Sequence, residues 1–505
     1  MVWFHSWAGL LSGWILYVIC VTGSFAYVQD EVTRWMRPEL PLPSATRPAG
    51  DLLTLAEDHL AKNGADAAFW AILFPGQRGA DDLAVGWTPR PGMPLAGAFQ
   101  RVILDQQTGA PVERHSRATG GGQTITAMHY ALHYMSRDAG TLVVGAAAML
   151  MFVVLLAGIA AHKKIFREFF TFRPGRGQQS WLDGHTTLAV TVTPFLLLMT
   201  WSGLIFSTFV YMPAAQATFF SDVEGLARFQ EEAFQYVPPR PENRFARAAP
   251  VTSLHAVLSR AEQRWGEGSV SRLRVENPGR ADAVVMVYAL QAGISGETRL
   301  LFSGVTGEAL PDPNSRTGPG TFYAGMLGLH KGYFARGYLR ALFVLCGLAS
   351  AGLIATGLVR WSIKRQGPAS QRHMGHTVVA ALNSGTIIGL PIGLAAYFWA
   401  NRIVPPAMEG RETWEANALF IAWGVAFVYA AGRHSVRAWA EMCVVAGAAW
   451  GLLPVLNALT TERHLGVTVP AGDWVLAGFD LSALAAGIFF VALAWKLARK
   501  PAEAV

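Results

Sequence analysis

The stretch HSWAGLLSGWILYVICVTG, residues 5–23, is an apolar run with a histidine at its start and a glycine at its end. Set beside HTTLAVTVTPFLLLMTWSG, residues 185–203, it repeats: Gly23 and Gly203 both fall 18 residues after their histidines, His5 and His185. Each run has the roughly 20 apolar residues that a helix needs to cross a hydrocarbon core about 30 Å thick. The pair therefore points to a membrane chain with an internal duplication.

The rest of the chain agrees. Of its 505 residues, 52% are hydrophobic and only 15% charged, which places the chain in lipid more than in water. Eight candidate spans can be drawn, at about 7–27, 139–161, 187–209, 339–359, 377–400, 418–431, 436–456 and 474–495, the sixth being the shortest. The net charge of +7 is compatible with nucleic acid, but the cations cluster at the ends of apolar runs, which is a membrane pattern and excludes nucleic acid as the expected partner. Lys163, Lys164, Arg167, Arg173 and Arg176 fill the second connection, Arg360, Lys364, Arg365 and Arg372 the fourth, Arg433 and Arg437 the sixth, and Lys496, Arg499 and Lys500 the tail. The positive-inside bias makes these cytoplasmic and both termini cytoplasmic, in a multi-pass protein of a bacterial inner membrane. The first run lacks a basic leader and a small-residue cleavage site, so it is expected to stay as a helix. Cys20, Cys346 and Cys443 all lie in apolar runs, which leaves no disulfide framework for the parts in water.

The expected fold class is an all-α polytopic membrane protein with two small α+β domains on the outer face. Its parts are a first span at 1–29, an outer domain at 30–128, a second span at 129–162, a cytoplasmic connection at 163–184 and a third span at 185–209. A second outer domain at 210–325, a fourth span at 326–361, a connection at 362–376 and a four-span extension at 377–505 complete it. Each outer segment is too long for a loop and reads as one helix followed by strands. In the first, LLTLAEDHLAKNG precedes FWAILFP, DDLAVGWTP and FQRVILD; in the second, LHAVLSRAEQRWG precedes VSRLRVEN, AVVMVYAL and TRLLFSG. Both end in a Thr-Gly turn, Thr108-Gly109 and Thr306-Gly307, where glycine can take a positive φ. On the returning spans, His133 and His330 align with Gly140 and Gly337 seven residues on, Arg137 and Arg336 standing two positions out of step.

The HSWAGL opening, the repeated D/S-x-x-TG turn, HYMSRDAG, WLDGH and LHKGYFARG together resemble the PepSY-associated transmembrane helix family over about residues 1–365. That family includes inner-membrane proteins of iron uptake and siderophore reductases. The resemblance implies PepSY-like outer domains and a haem oxidoreductase whose acceptor is a ferric siderophore. It implies nothing about the last four helices.

Neutral imidazoles from facing helices can hold a haem axially. In a cyclic four-helix core the first and third spans are diagonal, as are the second and fourth. His5 and His185 share the cytoplasmic level, and His133 and His330 the periplasmic one. The expectation is two haem b groups, one per pair, forming an electron path across the membrane. The resemblance to haem-bearing reductases supports these four axial ligands, with electrons drawn from a quinol or a cytoplasmic reductase. His129, four residues before His133, would share its helix face and is an alternative ligand or a propionate contact. Arg137 and Arg336, with Arg340, are placed to pair with propionates. His162 and His376 are further candidates at the cytoplasmic level. An interfacial histidine also serves simply by reaching a lipid headgroup, so single positions carry less than the repeat does.

Other chemistries fare worse. His129 and His133 have the i, i+4 spacing of a zinc helix, but Tyr130 stands where the catalytic glutamate would be. Gly120, Gly121 and Gly122 lack the Lys-Ser/Thr of a phosphate loop and read as a hinge. No dinucleotide fingerprint, nucleophile elbow or CxxC is present. Two readings outside redox chemistry remain: a regulatory or scaffolding membrane protein, and a transporter subunit. The few charges within the last four helices weigh against the transporter.

Overall fold

A computed structural model describes residues 2–41, 47–76, 82–93, 95–113, 115–161, 178–211, 246–290, 297–311, 318–365, 374–433 and 435–499, with isolated positions between 214 and 225 and at 294. His162, His373, His434 and the cations at 163, 164, 167, 173, 176, 372 and 500 lie outside the described residues. The chain forms two compact units, one of residues 1–40, 116–211 and 335–505, the other of residues 41–115 and 212–334.

Among the described residues, eight helices of the first unit are long and apolar enough to cross a membrane. The first four spans are α1 (Val2–Ala26), α5 (Arg137–Ala161), α6 (Gln178–Phe206) and α9 (Tyr338–Lys364). Two short helices of the same unit, α2 (Gln29–Trp35) and α4 (Gly121–Tyr130), follow α1 and precede α5. Helix α1 packs on α5 and α9, and α6 packs on the same two, so the four close into a ring with α1 diagonal to α6. The sixth span, expected to be short, is a full 22-residue helix, α12 (Arg411–Gly432).

The fifth and seventh spans are discontinuous. The fifth divides into α10 (Met374–Ile387) and α11 (Gly389–Ile403), the seventh into α13 (Val436–Gly451) and α14 (Leu453–Thr460), with α15 (Trp474–Ala498) as the eighth. Proline explains both breaks. Pro391 and Pro454 each remove one backbone donor and free a carbonyl one turn earlier. At the first break the freed Ile387 carbonyl accepts from the Tyr17 hydroxyl at 3.0 Å. The indoles of Trp423 and Trp450 donate at 2.9 Å to the nearby carbonyls of Gly385 and Pro391. A lipid-exposed carbonyl would have no such donor, so the break is tolerated only because protein surrounds it. Tyr17→Phe is therefore expected to lower stability by about 1 to 3 kcal/mol, the cost of one unmade buried hydrogen bond, measured as thermal unfolding in detergent. One hydrophobic core runs from Leu10, Leu16 and Val21 through Leu358 to Leu394, Phe398, Leu419 and Leu453, so the last four helices share the interior of the first four.

The second unit holds a seven-stranded antiparallel sheet in the order β3-β2-β1-β4-β5-β6-β7. Strands β1 (Ala67–Leu73), β2 (Leu83–Pro89) and β3 (Gln100–Leu104) come from the first outer segment. The second segment supplies β4 (Val270–Glu276), β5 (Val284–Leu290), β6 (Glu297–Ser303) and β7 (Ala309–Leu310). The two segments, expected as separate domains, are thus joined. Strand β1 pairs with β4 from Phe69 opposite Glu276 to Leu73 opposite Arg272. Two closed domains would each have left a strand edge of unpaired amides; the pairing removes both. Helices α3 (Ala49–Asn63) and α7 (Leu254–Trp265) cover one face. Their Leu52, Leu53, Ala56 and Leu60, and Leu254, Val257, Leu258 and Ala261, recur at helical spacing and pack on Ile72, Val85, Leu273, Val285 and Phe302.

The Thr-Gly turns form as their residues dictate. Gly109 and Gly307 have φ of 71° and 70°. Asp105 accepts from the Thr108 amide at 2.8 Å, and Ser303 from the Thr306 amide at 3.1 Å. A last correction concerns the boundaries. Helix α8 (Gly318–Lys331), which carries His330, belongs to the strand-bearing unit, and the fourth span begins only at Tyr338.

Candidate functional site

A carbonyl in a helix points along the axis toward the residue four positions on. A side chain from another helix that reaches this oxygen must lie over that residue. Three described histidines do this, and in each case a glycine occupies the position beneath.

His5, in the first turns of α1, places Nδ1 3.0 Å from the Val154 carbonyl of α5. Four residues on is Gly158, where an added Cβ would stand 3.1 Å from His5 Cε1. On α6, His185 places Nδ1 3.1 Å from the Leu353 carbonyl of α9 and 3.2 Å from Thr356 Oγ1. Gly357 follows, its Cβ position again 3.1 Å from the ring. His129 of α4 places Nδ1 2.8 Å from the Ile19 carbonyl of α1. Gly23 lies beneath, and a Cβ there would stand 2.6 Å from Nδ1.

A carbonyl oxygen can only accept, so in each ring Nδ1 carries the proton and Nε2 the lone pair. That is the tautomer of a metal-ligating imidazole held by a backbone carbonyl. The rings of His5 and His185 meet edge to face, with centroids 6.4 Å apart and planes at 74°. A metal–imidazole bond is about 2 Å and ring nitrogen lies about 1.2 Å from ring centre, so two axial imidazoles on one ion stand roughly 6 Å apart. The observed spacing matches this. The diagonal pair expected from the sequence is thus brought together, at the Met1 end of α1. His129 meets the same helix at Ile19, 14 residues or about 21 Å farther along.

The other expected residues stand elsewhere. Helix α4 ends at Tyr130, so His133 does not share a helix face with His129. It sits in a turn between Leu132 and Tyr134, both at φ 59°, and stacks on Phe420 of α12 with centroids 5.0 Å apart. His330 is the next-to-last residue of α8, as His129 is of α4, and in both cases the following span begins eight residues later. By helix position the counterpart of His330 is therefore His129. The glycines that aligned His133 with His330 do different jobs: Gly140 lies where a Cβ would meet the Ala131 carbonyl at 1.6 Å, whereas Gly337 caps α9 at φ 50°. Arg137 is exposed and lies over the Tyr130 ring at 5.5 Å; Arg336 is exposed; Arg340 pairs with Glu31 at 2.5 Å. His376 meets Trp361 edge-on, centroids 6.3 Å apart.

Among the described residues no three His, Cys, Asp or Glu side chains gather as a metal site. With His129 on α1 and His133 on Phe420, the zinc arrangement has lost its second ligand as well. Gly120 to Gly122 are no hinge: Gly122 packs so that a Cβ would stand 2.3 Å from the Gln29 carbonyl. Sequence reading missed the glycines beneath the rings. Gly23 was noticed for its spacing, but only the fold shows that it makes room for His129.

Fold and site together define a multi-pass membrane protein with paired histidines at one end of a four-helix ring. Residues 2–364 match the family described as PepSY-associated TM region, and the chain belongs to that family. No curated protein matches the chain.

Proposed function

We propose that the chain is a haem b oxidoreductase that passes electrons across the bacterial inner membrane to a periplasmic acceptor, a ferric siderophore. The spacing and tautomer of His5 and His185 support this most directly. Haem b supplies a one-electron couple where these imidazoles hold it. Val154 and Leu353 keep each proton on Nδ1, and Gly158 and Gly357 admit the rings. His129, in this reading, serves the second, periplasmic level. In this reading residues 1–365 are a duplicated span–domain–span unit with PepSY-like outer segments. Arg360, Lys364 and Arg365 at the end of α9, and Lys496 and Arg499 at the end of α15, support cytoplasmic termini. Electrons come from a quinol or a cytoplasmic reductase.

The broken fifth and seventh spans resemble those of transporters, where unwound carbonyls bind the cargo. Here Tyr17, Trp423 and Trp450 occupy carbonyls at the first break, which favours a structural role. The redox reading is tested by mixing dithionite-reduced protein, freed of reductant, with a ferric hydroxamate and a ferrous-iron chelator. Haem reoxidation with matching ferrous iron is expected; reduced haem that persists beside the ferric chelate contradicts it.

A further inference from the structure

The last four helices were expected to hold few charges, yet four are buried there: Arg402, Arg411, Glu415 and Asp480 are 5%, 0%, 0% and 0% exposed. Buried ions cost several kcal/mol each even when paired, and apolar packing would give equal stability. Such a network is informative for what it holds in place.

It holds the start of α4 by two routes. In the first, Glu415 accepts from Thr119 Oγ1 at 2.5 Å and from Asn401 Nδ2 at 2.7 Å, and pairs with Arg411. Arg411 also donates to the Ala118 carbonyl at 2.8 Å, and Arg117 to the Asn401 carbonyl at 2.7 Å. Tyr397 then donates to the Gly121 carbonyl at 2.8 Å, in the first turn of α4. In the second route Arg402 lies 3.7 Å over the Trp35 ring and donates to its carbonyl at 2.6 Å. The Trp35 indole donates to Asp480 at 2.9 Å, and Arg34 pairs with Asp473 at 3.1 Å. These bonds fix α2, whose Thr33 accepts from the Gly122 amide at 2.9 Å.

Both routes converge on Gly121 and Gly122, and α4 carries His129 eight residues beyond. Across that length, about 12 Å, a tilt of some 10° at the start moves the imidazole roughly 2 Å. That displacement is enough to break its bond to Ile19.

We infer that the last four helices are the scaffold that positions His129, with Glu415, Asn401 and Tyr397 as positioning residues for the outer iron ligand. The inference rests on the haem reading above. Thr119→Ala combined with Tyr397→Phe removes two bonds of the first route while Glu415 keeps Arg411 and Asn401, and Tyr397→Phe alone is the milder variant. In full-length purified protein, the haem signal that depends on His129 is expected to weaken or shift, while the signal that depends on His185 keeps its intensity. Thr119→Ser with Tyr397 intact restores it. Independently of haem, hydrogen exchange of residues 121–130 in haem-free protein is expected to quicken at least tenfold, with residues 2–12 unchanged. Equal loss of both signals means general destabilisation and overturns the inference. So do two unchanged signals with unchanged exchange, although the haem reading would then stand. A wild-type protein that binds no haem contradicts that reading instead, and the exchange of residues 121–130 still decides whether α4 is pinned.

Discussion

His185→Ala is expected to lower the haem content from about two per chain to about one, with His5→Ala giving the same loss and the double variant no further loss. The two imidazoles stand 6.4 Å apart, and the haem proposal has them act on one ion as a unit. Removing either would leave one imidazole to hold the group and open space beside Gly158 or Gly357. Effects of residues that act as a unit do not add, which is why the double variant is the decisive member of the set. His133→Ala is the contrasting change. Its ring stacks on Phe420, so both haems should remain. Pyridine-haemochrome quantification per chain, with the low-spin signals counted by electron paramagnetic resonance, reads all four variants. Additive losses for His5→Ala and His185→Ala would separate the two histidines into different sites.

The second large effect is expected from a residue that touches no ligand atom. Gly23→Leu adds a Cβ whose position is 2.6 Å from His129 Nδ1, closer than any real contact of that kind. The ring must leave the Ile19 carbonyl, and the helix backbone cannot yield, because α1 is packed between α5 and α9. The outer haem should be lost and the inner one kept. Gly158→Ala, at 3.1 Å, asks only for a shift of a few tenths of an ångström and should perturb the inner haem without expelling it. Comparing the two by the same quantification checks the argument: equal effects would mean that space beneath the rings does not govern the sites.

Much of this was legible in the sequence because its causes are local. Apolar length set all eight spans, and the helical spacing of Leu52, Leu53, Ala56 and Leu60 set the outer helix. The Thr-Gly turns followed from one glycine and one side-chain acceptor apiece. The diagonal placement of His5 and His185 needed only that four spans close into a ring in chain order. What stayed hidden depends on contacts distant in the chain. The pairing of β1 with β4 joins residues about 200 positions apart, and no alternation of apolar residues can specify which edge meets which. The end of α4 at Tyr130 moved His133 off the face of His129, a boundary that spacing alone did not give. The buried ions of the last four helices escaped notice because each lies near a span end, where charges usually face water. Only their partners on α2 and at residues 117–121 explain them.

The central claim is that imidazoles at two levels of one helix ring hold iron. The most direct measurement is haem per chain in the wild-type protein, purified full-length in detergent from haem-replete cells, with oxidised and reduced absorption spectra. The account predicts two low-spin haem b groups per chain, reducible by dithionite. Folded protein that carries no haem would contradict it.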